Sequence, residues 1–228
     1  MDRGDHSRGG SQPRRARWLA PVAAVAGLAL SGTALAALPA NVATVVGKPI
    51  SRQEFNHWMV ITARAQPGPL VVAIDPPRFD HCIAQARAGL PSLRHDSTRA
   101  LRKDCKELFR NVSNVVLDFL ISADWHEAEA ARDGILITTE QVDRAFAAQR
   151  QELFPKPSQF TRFLRRSGQT VADIKFRVRA TLVLTALQKA ERLSADALDT
   201  EMTRRFKSHT ACARFYVMSD CGRVAGRA

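Results

Sequence analysis

Apolar and polar residues follow a helical pattern over one long stretch of the chain, residues 97–134. Its apolar or small positions recur at steps of three and four: Leu101, Cys105, Leu108, Val112, Val115, Phe119 and Ser122. Such steps place side chains on one face of an α-helix. The pattern therefore predicts a helix about 50 Å long, which other elements must cover. Gly134 marks its expected end, because glycine readily adopts the left-handed C-cap conformation.

The same periodicity predicts further helices on both sides of this one. Residues with cap-forming side chains precede the periodic segments, namely Ser51, Thr138, Ser158, Thr170 and Ser194. Residues 42–46 are rich in β-branched side chains and predict a short strand that ends in a turn at residues 47–49. The predicted fold class is mainly α: a multi-helix domain built on one long helix, with a short N-terminal β segment.

The first 36 residues have the order of regions found in a secretory signal peptide. A polar segment with Arg14, Arg15 and Arg17 precedes an uncharged apolar run at residues 18–30, and Ala34 and Ala36 form an A-x-A cleavage signal. The alternative is an uncleaved N-terminal anchor, because residues 18–38 are about long enough to span a membrane. Both interpretations predict an exported, extracytoplasmic protein, which is secreted, periplasmic or anchored at the outer face of a membrane.

The chain is basic, with 34 Lys and Arg, 22 Asp and Glu, and a formal net charge of +12. Without residues 1–36, which carry five Arg and two Asp, the charge would be +9. A basic exported protein meets anionic envelope polymers and lipid headgroups, which are therefore candidate partners. Nucleic-acid binding is not predicted, because the basic residues lie between acidic ones and form no block interleaved with aromatics.

Four cysteines, Cys82, Cys105, Cys212 and Cys221, favour two disulfides in an exported chain. Four cysteines allow three pairings, of which the simplest joins sequence neighbours, 82 with 105 and 212 with 221. Zinc is the alternative. It is disfavoured because there is no C-x-x-C motif and the histidines are not spaced as metal ligands. We expect no metal and no cofactor.

Three segments of this chain resemble the N-terminal chaperone domain shared by the SurA and PrsA secreted foldases. They are VATVVGKPISRQEFNHWM, DGILITTEQVDRAF and ELFPKPSQFTRFLRRSGQTVADIKFRVRATLVLTAL, and with the helix between the first two they cover about residues 42–192. The N-terminal pattern, this resemblance and the cysteines together predict three parts: a signal peptide or anchor at residues 1–36, a chaperone domain at residues 37–193, and a C-terminal helix with a disulfide-closed tail at residues 194–228.

The resemblance also implies a function, which is to hold unfolded or part-folded client proteins without ATP. Fuller members of the family carry a parvulin-type prolyl isomerase domain after the last matching helix. Only 38 residues remain from Glu191 onward, too few for such a domain, and no parvulin motif is present. Isomerase activity is therefore an alternative that rests on family association alone. Binding of anionic polymers or lipid by a basic envelope protein is the other alternative.

The chain contains no nucleophile elbow, dinucleotide-binding fingerprint, Walker loop or zinc-protease motif. Asp124 and Glu127 are three residues apart on one helix, and the simplest interpretation is a solvated face rather than an acid–base pair. The histidines have no partner at a catalytic spacing. No catalytic residue is predicted.

Aromatic residues on the predicted helices are the most informative candidates for function. Most are expected to be core residues, but a chaperone also needs exposed, sequence-tolerant apolar surface. The candidate client-binding residues are Phe55, Trp58, Trp125, Phe146, Phe160 and Phe163. The strand at residues 42–46 is expected to offer a free edge as well, to which an extended client could add a strand.

Overall fold

The computed structural model describes residues 38–225. Its helices are α1 (Arg52–Arg64), α2 (Asp80–Gly89), α3 (Thr98–Arg132), α4 (Thr139–Leu153), α5 (Pro157–Ser167), α6 (Val171–Glu191) and α7 (Ala195–Phe206). Its strands are β1 (Asn41–Val45), β2 (Lys48–Ser51), β3 (Thr210–Cys212) and β4 (Arg223–Val224). The mainly helical class with a small β element is confirmed. The predicted signal peptide at residues 1–36 lies outside the described residues.

Helix α3 is the central element, as its periodicity predicted. It begins after Ser97, whose hydroxyl accepts a hydrogen bond from the backbone N–H of Ala100, and it packs against α1, α2, α6 and α7. None of the described helices is apolar enough over a sufficient length to cross a membrane.

The buried face of α3 is displaced from the predicted stripe in the middle of the helix. Phe109, Val116 and Leu120 are buried, whereas Val115 is 61% exposed. In the middle of α3 apolar residues stand next to each other, so more than one apolar face with steps of three and four can be drawn through the sequence. The choice between them is made by the elements that pack on α3.

Most of the predicted helix starts are confirmed. The hydroxyls of Ser51, Thr138, Thr170 and Ser194 each accept a hydrogen bond from a backbone N–H in the first turn of the helix that follows. The prediction for Ser158 is wrong, because α5 already begins at Pro157 and its N-cap is Lys156. Proline suits the first position of a helix, where its fixed φ is helical and no N–H is needed.

The four strands form one sheet in the order β2-β1-β3-β4. Val46 and Gly47 both have positive φ values, as a tight turn between antiparallel strands requires, and this turn pairs β1 with β2. On its other side β1 pairs with β3, with Ala43 opposite Cys212. The expectation of a free edge on β1 is therefore wrong, because both of its edges are occupied.

The C-terminal part of the described chain shares the hydrophobic core with the helices before it. Leu198 and Met202 of α7 are fully buried, and Tyr216 packs edge-on against Phe55 of α1. These contacts, together with the strand pairing, connect the tail to the start of the chain. The described residues accordingly belong to one compact unit.

Both cysteine pairs lie at disulfide distance. Cys82 of α2 is joined to Cys105 of α3, and Cys212 of β3 is joined to Cys221 in the tail, with Cα–Cα distances of 6.0 and 5.7 Å. These are the simplest of the three pairings. The first holds a short helix on the start of α3, and the second closes the tail beside the sheet.

Candidate functional site

Three of the six candidate client-binding residues are core residues. Phe55 and Trp125 have no exposed surface, and Trp58 is 4% exposed. Phe55 contacts the ring of Phe109, and Trp58 contacts the ring of Phe119. Their proposed role is corrected here, because a side chain that fills the core offers no surface to a client.

The other three candidates lie together in the structure. Phe146 of α4 and Phe160 and Phe163 of α5 are all half-buried. Phe154, at the break between these helices, joins them: its ring centroid lies 5.6 Å from that of Phe160 and 5.0 Å from that of Phe163. Phe146 lies 6.0 Å from Phe160. We call these four rings the phenylalanine cluster.

The phenylalanine cluster forms one wall of an open groove between α4, α5 and α6. The groove has a volume of about 560 Å³. Its other apolar lining residues are Ala145, Ala148, Leu153, Ile174, Val178 and Leu182. It has the character of a ligand site, being concave and largely apolar.

The local sequence explains why these rings remain partly uncovered. Helix α4 ends at Leu153, Pro157 starts α5, and Gly168 ends α5 in the left-handed conformation at φ 71°. The chain turns between two short helices, of which α4 packs on α6 and α5 on α1, and α5 has no fully buried residue. Its phenylalanines reach the groove, and Leu153 beside them is 59% exposed.

Basic side chains surround the groove. The guanidinium of Arg150 lies 5.9 Å from the ring centroid of Phe160, within the range of a cation–π contact. A second depression, which shares Phe154 and Phe163 with the groove, is lined by Arg64, Arg162 and Arg166. Among residues 38–225, Glu152 is the one acidic residue that lines either depression. The surroundings of the apolar groove are therefore positively charged.

Polar contacts fix the start of α6, which forms the floor of the groove. Asp173 accepts hydrogen bonds from the backbone N–H of Thr170 at 2.6 Å and from Nε2 of His57 at 2.8 Å. Burial opposes ionisation of this carboxyl group, but the Thr170 and His57 hydrogen bonds outweigh it and lower the pKa of Asp173. Arg177 lies over the ring of Trp58 at 5.0 Å. These contacts attach α6 to α1.

Asp124 and Glu127 of α3 each form an ion pair with a residue of another element. Asp124 is 8% exposed and pairs with Nζ of Lys48 on β2 at 2.5 Å, so the prediction of a solvated face is wrong for this residue. Glu127 receives two hydrogen bonds from the guanidinium of Arg179 on α6, at 2.6 and 3.0 Å. Each carboxylate has a basic partner, which supports a structural rather than an acid–base role.

One carboxylate group among the described residues has the arrangement of a cation site. It consists of Glu129 and Asp133 at the end of α3 and Glu191 at the end of α6. This group was not predictable from the sequence, because Glu191 is distant from the other two residues along the chain. Glu129 and Asp133 are four residues apart, which is a spacing that could indicate a shared site. The same spacing is common on solvated helices, so it does not identify one.

Comparison with known proteins identifies no relative. No family model, no curated protein and no solved structure matches this chain.

Proposed function

We propose that this protein is an ATP-independent chaperone that holds unfolded or part-folded polypeptides in the groove between α4, α5 and α6. The observation that carries the proposal is the phenylalanine cluster, in which four half-buried rings line one open groove. A contiguous, partly exposed apolar surface is typical of a site that binds a partner. An unfolded chain supplies the complementary apolar side chains.

The chemistry of the groove suits a client that is defined by its apolar character and not by its exact sequence. Full burial of one large apolar side chain contributes about 1.5–3 kcal/mol, so a half-buried ring contributes less. Several weak apolar contacts together give reversible binding. Phenylalanine carries no polar atom that would require a matching group on the client.

The positive charge around the groove favours clients with acidic residues near their apolar ones. Arg64, Arg162 and Arg166 lie beside Phe154 and Phe163, so a client that fills the groove places its flanking residues close to these guanidinium groups. Opposite charges raise the rate of encounter and select among clients of equal hydrophobicity.

Two further observations agree with the proposal. Three sequence segments resemble the chaperone domain of the SurA and PrsA foldases, and the second and third of them supply the helices that surround the groove. The disulfide pairs are typical of proteins of oxidising, extracytoplasmic compartments, where a holding chaperone must work without ATP.

Aggregation of a denatured test protein in the presence of the purified protein is the direct test. We expect suppression at equimolar to several-fold excess, and a large reduction of that suppression in the Phe160→Ala, Phe163→Ala double variant. The matched control is Leu136→Ala, which removes a side chain that is 76% exposed and does not line the groove. It should protect as well as the unmodified protein.

Two other results would replace the proposal. Faster cis–trans exchange of a proline peptide would favour an isomerase. Salt-sensitive binding to anionic vesicles without any protection of clients would favour an envelope-binding protein. Equal protection by the double variant and the unmodified protein would remove the groove from the mechanism.

A further inference from the structure

We propose that Glu129, Asp133 and Glu191 form a binding site for a divalent cation of the calcium type. One carboxylate oxygen of each residue lies within 4.8 Å of those of the other two. Glu129 and Asp133 are one turn apart at the end of α3, and Glu191 is the last residue of α6. A cation here would join the ends of two helices that pack on each other.

Two buried oxygens in this cluster have no hydrogen-bond partner. They are Oε2 of Glu129 and Oε1 of Glu191. The side chain of Glu129 has no exposed surface at all. A buried carboxylate oxygen without a partner destabilises the fold, so its presence inside a group of carboxylates points to a ligand that binds oxygen.

The arginines around Glu129 do not supply that ligand. Arg132 and Arg205 both donate to Oε1 of Glu129, which leaves Oε2 free. Arg205 also donates to Glu201, as does Arg204. Arg132 also contacts Asp133, so the three guanidinium groups are shared among the carboxylates of Glu129, Asp133 and Glu201. Among the described residues, no ion pair compensates the charge of Glu191.

The position of the cluster increases the demand for positive charge. The C-terminal end of a helix carries partial negative charge from its carbonyl groups, which favours cations and disfavours carboxylates. The three acidic side chains lie at two such ends.

The donor set selects the kind of cation. Carboxylate oxygens are hard ligands, which suit calcium, magnesium and manganese better than zinc or copper. Calcium binds oxygens at about 2.3–2.6 Å, so two of its ligands can be up to about 5 Å apart. It also tolerates irregular geometry. Asp133 is 29% exposed, which leaves the site open to solvent and to water ligands.

A site with three protein carboxylates and open positions is expected to be weak. We expect a dissociation constant of about 10⁻⁴–10⁻³ M, the range of extracellular calcium modules. Saturating calcium should then raise the melting temperature of the protein by about 2–4 °C, because the ligand binds only the folded state.

Calcium-dependent melting of the whole protein at pH 7.5 is the first test. The Glu191→Gln and Asp133→Asn variants should lose the shift. Asp104→Asn should keep it, because Asp104 is an exposed carboxylate of the same helix, about 37 Å from Glu129 along the axis.

Terbium luminescence provides a second test that needs no variant. Trp125 lies one helical turn before Glu129, on the same side of α3. Terbium bound at the site should therefore emit when tryptophan is excited, and calcium should quench that emission by displacement. A signal that calcium leaves unchanged would overturn the proposal.

The rival explanation is a proton shared between Glu129 and Glu191. It predicts no calcium shift in the melting temperature of the unmodified protein, together with a smaller fall in melting temperature between pH 7.5 and pH 5 for the unmodified protein than for Glu191→Gln. That result would overturn the proposal, as would an equal loss of the calcium shift in Asp104→Asn. Neither test uses client binding, so both remain informative whether or not the protein is a chaperone.

Discussion

The indole N–H of Trp125 on α3 donates a hydrogen bond of 2.9 Å to Oγ1 of Thr210, the first residue of β3. Both residues have no exposed surface. The hydroxyl of Thr210 in turn donates to the backbone carbonyl of Phe206 at 3.0 Å. One threonine thus connects the central helix, the end of α7 and the sheet.

Replacement of Thr210 by valine should lower the free energy of unfolding by about 1–3 kcal/mol, the penalty for leaving a buried donor without a partner. The change keeps the shape of the side chain but leaves the Trp125 N–H unpaired. Denaturant unfolding measures the effect. Thr200→Val is the matched control, because the exposed Thr200 also donates to a carbonyl four residues earlier. A loss below about 0.5 kcal/mol, within the range of ordinary surface substitutions, would contradict this role.

Loss of the Cys82–Cys105 disulfide should lower the free energy of unfolding by about 3 kcal/mol, because the bond restricts a loop of about 24 residues in the unfolded chain. The bond joins residues 23 apart in sequence. Denaturant unfolding of the Cys82→Ala, Cys105→Ala variant measures this loss. Reductant should leave the stability of the variant unchanged as long as its remaining bond, Cys212–Cys221, stays closed.

The Cys212–Cys221 bond joins residues only 9 apart. Its loop contains only about 10 residues, so in the chain-entropy model its removal lowers the free energy of unfolding by slightly less than 3 kcal/mol. Peptide mapping without reduction should recover both pairs. Recovery of a crossed peptide, such as 82 with 212, would contradict the two local closures.

The helices were predictable from the sequence because their signals are local. A cap such as Ser51 or Thr170 acts within three residues, and a periodic stripe acts within a few turns. The sheet was not predictable, since β3 pairs with β1 from the opposite end of the described chain. Nothing near residues 210–212 indicates that the strand beside them will be β1.

The candidate site was predictable in part. The sequence identified Phe146, Phe160 and Phe163, but it grouped them with Phe55 and Trp125, because periodicity shows that a face is apolar and not whether another element covers it. Phe154 was outside the candidate set although it connects the cluster. It lies in the break between α4 and α5, outside the periodic apolar positions of either helix.

His126 should make the protein less stable in mild acid. Burial lowers the pKa of His126 below the usual 6.5, and the charge of Asp199 on α7 opposes this only in part. As pH falls below about 6.5, the unfolded chain binds a proton there before the folded protein does. Stability is therefore full above that pH and decreases as pH falls through the lowered pKa.

The measurement is the free energy of unfolding between pH 7.5 and pH 5 for the unmodified protein and for His126→Gln. The variant should lose less stability over this range, and the difference between the two curves cancels the titration of the carboxyl groups they share. His81→Gln is the control, since His81 is exposed. Parallel curves for the unmodified protein and His126→Gln would contradict the assignment.

The basic residues beside the groove should select acidic clients. In the Arg162→Gln, Arg166→Gln variant, affinity for an unfolded peptide with Asp or Glu next to its apolar residues should fall about 3- to 10-fold. Two surface charges that each contribute about 0.3–0.7 kcal/mol give this range, because about 1.4 kcal/mol corresponds to a tenfold change. Affinity for a peptide with Lys in place of those acids should stay the same or rise.

Fluorescence anisotropy of labelled peptides at two salt concentrations distinguishes this local effect from the general basicity of the protein. The control is Arg99→Gln with Lys103→Gln, an exposed pair on α3 with the same spacing and the same loss of charge. If net charge alone attracts acidic peptides, both double variants will weaken binding equally. If the groove positions the peptide beside Arg162 and Arg166, only their replacement will reduce the difference in affinity between the acidic and the basic peptide. In the unmodified protein, salt above the physiological range will remove that difference in affinity.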